Sequence, residues 1–147
     1  MDYYDIIGEL RTYADNLGWH FLYGDSFMRN YEITKKDIIV NDLILGTDPF
    51  IATPTFTNAG KVLTISYTGL IMLGRKFELN TTSSLDETTI QKYDRRLFEL
   101  TNLLSTNLIS FACANDLTIN NVQFELGLNQ LDENLDFVIG SVTLLQG

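Results

Sequence analysis

Apolar side chains recur at Ile90, Tyr93, Leu97, Leu100, Leu104, Leu108 and Phe111. Steps of three and four residues place them on one stripe of an α-helix. Ser84 and Glu87 have capping-box spacing, which gives the helix a defined start. No Pro or Gly interrupts Leu85–Asn115. At about 1.5 Å per residue, ~28 helical residues within that span would run to roughly 40 Å. One amphipathic helix of that length needs a sheet to lie on, and much of the remaining chain is strand-like.

Residues 2–17 form the pattern of a first, shorter helix. Tyr3, Ile6, Ile7, Leu10, Tyr13, Ala14 and Leu17 share a face, and Gly18 follows as a stop that tolerates positive φ. Trp19–Tyr23 is aromatic and extended, ended by Gly24 and Asp25. The polar stretch 25–37 is expected to be a loop with a short strand around Tyr31, and loops of that length are often functional. Ile38–Leu45 is a strand pattern and Gly46–Pro49 a turn. Phe50–Thr57 and Lys61–Leu73, joined by Asn58-Ala59-Gly60, predict an extended β-hairpin. Pro54 cannot donate to a ladder, which puts its strand at an edge. Leu63, Ile65 and Tyr67 are expected on one face of the second arm, with Thr64, Ser66 and Thr68 on the other. Gly69 is expected to mark a bend, and Arg75–Asn80 to continue extended. Ile119–Leu126 alternates, and Asn129–Asn134 reads as an acidic loop. Phe137–Leu145 is apolar on both faces, as suits a central strand or one covered by a partner. With 147 residues, the chain fits one domain, 1–147. Its expected class is α+β: a mostly antiparallel sheet with an extended β-hairpin, one long helix packed on it and a shorter N-terminal helix.

The second hairpin arm is more than twice the usual strand of about 5–6 residues. Past Gly69 it turns apolar on both sides, with Leu70 and Met72 on the formerly polar face. The long helix can cover one side. The other is expected to be covered by a neighbouring subunit or by the first helix, unless a bulge at Gly69 swaps the faces. Candidate subunit-interface residues are Leu70, Met72, Phe50, Phe56, Val138 and Val142.

Charge narrows the partners. The formal net charge is −9, which speaks against direct nucleic-acid binding and against docking on anionic lipid. No apolar run approaches the ~20 residues of a membrane helix, and Met1–Asp5 lacks the basic and apolar regions of a signal peptide. Cys113 is the only cysteine, so no internal disulfide is possible; beside Phe111 it is expected to be a core or boundary residue. Asn80-Thr81-Thr82 is a glycosylation sequon, but one without meaning in a bacterial or viral cytosol.

The chain's near-matches to chemical motifs each fail. Gly69–Phe77 has the glycine spacing of a phosphate loop, but Arg75 and Lys76 stand where Lys and Ser/Thr are needed. His20 is the only histidine; it has no nucleophile elbow and no cluster of metal ligands around it, and a strand histidine at a surface or interface is the expected role. Asp132, Glu133 and Asp136 lack calcium-loop spacing. Asp94, Arg95, Arg96 and Glu99 fit an exposed helix face, with Arg95 and Glu99 placed for an i,i+4 pair. No catalytic residue, cofactor or metal is expected.

The layout of Asp2–Leu17, Phe50–Leu73, Glu87–Asn115 and the ending Asp136–Leu144 resembles the tail-terminator and tail-completion (neck) proteins of tailed bacteriophages. That ending has an acidic residue, apolar residues, Gly140 and then alternating apolar residues. The resemblance implies a non-enzymatic subunit of a ring, hexameric or similar, in the virion tail or neck. Such a ring would be assembled in the host cytoplasm, cap the tail tube and join it to neck or connector proteins. DNA would pass through without specific binding, and no membrane would be involved. The alternative from another class is a small bacterial α+β ligand-binding or enzymatic domain.

Overall fold

The computed structural model describes residues 1–24, 38–39, 41–76, 97–127 and 135–147. They form helix α1 (Ile6–Leu17), strands β1 (His20–Tyr23), β2 (Leu43–Thr47), β3 (Ile51–Phe56) and β4 (Val62–Lys76), helix α2 (Phe98–Ala114), and strands β5 (Thr118–Gly127) and β6 (Leu135–Gln146). The sheet order is β1-β2-β4-β6-β5, with β3 also on β4. β1 and β2 run parallel and every other pair antiparallel. The fold is α+β, as the segregation of helical and strand patterns implies.

β4 is the spine. Along its whole length from Ile65 to Lys76 it pairs with β6 without a register shift. Its other edge is shared by β3, against Val62–Thr68, and β2, against Ile71–Arg75. β2 and β3 are thus two halves of one side, interrupted by Asp48-Pro49-Phe50 opposite Gly69-Leu70. The extra residue lies on the β2–β3 side, so β4 keeps its two faces through Gly69. Gly69 is needed for another reason: a Cβ there would lie 2.6 Å from the Phe50 ring.

One face of β4, with Ile65, Tyr67, Ile71 and Leu73, joins Val138, Val142 and Leu144 of β6 and Leu45 of β2 in the main core. Both helices cover this face. α1 contributes Ile6, Leu10 and Ala14; the α2 side contributes Leu97, Leu100, Leu104, Leu108, Phe111 and Ala112. The five apolar positions read from Leu97 to Phe111 are all buried. Ile90, Tyr93 and the Ser84/Glu87 box lie outside the described residues, as do Arg95, the loop 25–37 and residues 128–134. The described helix has 17 residues, about 25 Å. Leu97 at its head is itself helical, with φ −76° and ψ −36°, and makes no side-chain cap.

Several expectations are corrected. α1 starts at Ile6 and not at residue 2: Asp5 is its N-cap, with Oδ1 accepting the Gly8 N–H at 3.0 Å. The preceding residues are tied to the sheet instead. The Tyr4 N–H donates to Tyr67 Oη at 2.7 Å, and Gln146 Nε2 donates to the Asp2 carbonyl at 3.0 Å. At the other end Gly18 sits at φ +74° and its N–H bonds back into the helix, as read from sequence. Gly46 and Thr47 belong to β2 rather than to a turn. The bulge in β4 is at Leu63: Thr55 pairs Thr64 but Phe56 pairs Val62. Val62 therefore packs toward the main core, and Leu63, expected to face inward, is 56% exposed. Cys113 is exposed, because two residues along a helix from Phe111 is more than half a turn around it.

Leu100 is 1% exposed among α2, β4 and β6 side chains. Leu100→Ala should lower unfolding free energy by roughly 2–5 kcal/mol, measured by chemical denaturation.

Candidate subunit interface

The predicted interface residues fall into three groups. Met72, Val138 and Val142 are buried at 0%, 0% and 1% exposure and cannot lie on a subunit surface. Val138 and Val142 are in the main core under the helices. Met72 does face away from the helices, as the alternation requires, but neither a neighbour nor α1 covers it. It belongs to a second, smaller core with Leu22, Ile38, Ile44 and Phe137. Phe50 is half-buried over Gly69. Only Phe56 and Leu70 are exposed, at 59% and 39%.

The structure adds apolar surface that the sequence reading did not select. Ile51 is 70% exposed and pairs with Thr68, so it is diagonal to Leu70 on the outer face of the sheet. Leu70 borders a groove of about 170 Å³ with Gln123, Glu125, Ile139 and Ser141. At the hairpin end, Phe56 and Leu63 are exposed around the turn Thr57–Lys61. On α2, Phe98 and Ile109 are both 55% exposed. They are three turns apart, on one side of the helix.

A cleft of about 210 Å³ opens beside the base of the hairpin. Tyr67 and Phe50 form its floor, Tyr3 and Tyr23 its rim, and Asp5 lines it as well. Its polar frame is well bonded. The Tyr4 hydroxyl donates to Asn115 Oδ1, and Tyr67 Oη donates to Gln146 Oε1 at 2.7 Å. Burial, reinforced by Glu9, Asp5 and Asp116, raises the Tyr4 pKa, so the phenol stays a neutral donor. No signal in the sequence could have assembled this cleft, because its walls come from four separate segments.

The described basic side chains are mostly committed. Arg75 Nη2 lies 3.1 Å from Glu99 Oε1, Lys76 Nζ donates to the Ile38 carbonyl at 2.9 Å, and Arg11 stacks over Phe21 at 5.5 Å. The Lys61 ammonium makes no such contact with a described residue. His20 Nε2 is 2.8 Å from Asp42 Oδ2, which also accepts the Ile39 N–H at 3.0 Å. These bonds, with Lys76, hold Ile38 against the second core. The His20 bond, then the Ile39 N–H, lower the Asp42 pKa against the opposing effect of partial burial, with weaker help from the charges of His20 and Lys76.

Among the described residues, no three of His, Cys, Asp and Glu come together in a metal-binding group. No described helix is long and apolar enough to cross a membrane. The Gly69–Lys76 run is extended strand paired with β6, not a loop. Compared with known proteins, the chain matches no protein-family model and no curated protein at a significant level.

Two outcomes follow for the second core. Met72→Glu would place an unpaired charge among Leu22, Ile44 and Phe137; it should destabilise the isolated chain by at least about 3 kcal/mol, seen as a collapsed melting temperature. Asp42, with its lowered pKa, contributes stability above the ordinary carboxylate range, and this is lost as pH falls through its folded-state value. The pair is partly exposed, so Asp42→Asn should cost under ~1 kcal/mol at neutral pH. Thermal melts across pH should show the variant and parent converging below about pH 4.

Proposed function

We infer that this chain is a structural ring subunit of a phage head-to-tail junction, capping the tail tube and joining it to the neck. The observation that carries the reading is the placement of apolar surface. Ile51, Phe56, Leu63 and Leu70 are 39–70% exposed on and beside one hairpin, while the chain's own cores are closed. Exposed apolar groups gathered on one element mark contact with another protein. The element order also supports it: a short helix, strands with an extended hairpin, a helix on the sheet and two closing strands. An acidic surface suits a channel wall that DNA must pass without sticking. The role needs no catalytic residue or cofactor; its partners are copies of the chain, tail-tube protein and neck or connector proteins, within the virion.

Size-exclusion chromatography with light scattering, followed by negative-stain imaging, tests this. Rings or stacked rods with a central hole are the expected result, together with capsid, portal and tube genes beside the coding gene. A protein that stays monomeric at high concentration, and whose gene lies away from such neighbours, overturns the reading.

A further inference from the structure

We propose that the hairpin tip of one copy, Phe56, Lys61 and Leu63, docks in the aromatic cleft of the next copy, formed by Tyr3, Tyr23, Phe50, Tyr67 and Asp5. The inference rests on the ring reading and names the contact that would build the ring.

Both halves of the contact are present on one chain and suit each other. The tip offers two large apolar side chains, 59% and 56% exposed, flanking Lys61, whose ammonium has no partner among the described residues. The cleft offers aromatic faces and a carboxylate. An ammonium is attracted both to the negative face of tyrosine rings and to Asp5, and Phe56 and Leu63 lose exposed surface on the same walls. Lys61 is also where a cation is least needed by its own fold: the other described basic side chains bond to Glu99, the Ile38 carbonyl or the Phe21 ring.

The hairpin cannot fill the cleft of its own chain. Ala52, near the start of β3, already lines the cleft. The turn begins at Thr57, five residues farther along an extended strand, or about 16 Å. Pairing to β4 holds β3 extended from Ala52 to Phe56, with a register shift only between Thr55 and Phe56. A hairpin tip seated in this cleft therefore comes from another copy. Tip and cleft are different surfaces, so the contact is head-to-tail, and a head-to-tail contact repeats into a ring when its rotation closes.

Cysteine pairing tests the geometry. In a Cys113→Ser background, Ala59→Cys at the turn and Tyr3→Cys at the cleft rim are made as separate proteins and mixed under mild oxidation. Covalent dimers are expected. Ala59→Cys mixed with Ile109→Cys, on the outer side of α2, should give none. With Ala59→Cys and Tyr3→Cys on one chain, denaturing gels should show a ladder that stops at the ring number. Charge is tested by a cycle. Asp5→Asn keeps the N-cap oxygen while removing the charge. Lys61→Glu should weaken association at least about tenfold in the parent and much less in the Asp5→Asn background, with melting curves unchanged. Rings that form without the 59–3 cross-link, or with no coupling between Lys61 and Asp5, overturn this contact and leave the ring reading standing. No association under any condition overturns both.

Discussion

The fold depends on one strand keeping its register. β4 is 15 residues long and pairs with β6 across Ile65–Lys76 without a shift. Side chains alternate strictly along such a ladder, so a single slip would send Ile71 and Leu73 to the outside and Leu70 and Met72 into the helices. The chain takes up its irregularities elsewhere. The surplus residue at Asp48-Pro49-Phe50 falls on the partner side, and the bulge at Leu63 lies beyond the end of the β6 pairing. Gly69, where a bend was expected, is the point at which a neighbouring ring presses on a straight strand. Thr47 helps bridge the break: its hydroxyl donates to the Leu70 carbonyl at 3.1 Å, which also accepts the Asp48 N–H at 3.2 Å.

A straight β4 gives the sheet two faces of unequal burial. The helix-side face is closed by α1 and α2, where Tyr13 meets Phe111 edge-on at 5.8 Å and bonds Asn107 at 2.7 Å. The space left between the helices and β2 is only about 20 Å³, about one water probe. On the other face, among the described residues, the end near Met72 is the one closed, by Leu22 and Ile38. The far end is Thr64, Ser66, Thr68 and Thr143, which need no cover; Thr68 and Thr143 bond each other at 3.1 Å. Leu70 lies where the apolar end gives way to the polar one, and that is why it is left half open.

What could be read from the sequence follows from the range of each signal. Helix period, Gly18 as a stop, Pro54 at an edge and the Asn58-Ala59-Gly60 turn are local, and all appear as read. The face of Leu97–Phe111 was legible because Leu at every third or fourth position leaves no second solution. The alternation of Leu70 and Met72 was legible too, but not the cover over Met72. That comes from Leu22, Ile38 and Phe137, which are distant in sequence and meet only through the β1–β2–β4–β6 order. The Leu63 bulge carries no Gly or Pro to mark it. The first helix was read too early because Tyr3 continues the apolar period; the tie from the Tyr4 N–H to Tyr67 spans 63 positions and outweighs that local pattern.

Edge management bears on how a second copy could be met. An open strand edge is a template for another chain, and the three free edges among the described strands are each spoiled. β1 has four residues. β3 carries Pro54 at mid-strand, removing a donor, and its turn carries Lys61. β5 shifts register between Ile119 and Asn121, which bends the edge and raises its twist. Extension of the sheet from copy to copy is therefore opposed at each of these described edges, and an association that had to stop at a fixed number would gain from this, because unspoiled edges would add strands indefinitely. What remains for recognition is side-chain surface, and the densest part of it lies at the hairpin. Its tip reaches past the β6 pairing, so it can meet a second body without disturbing any bond within the first.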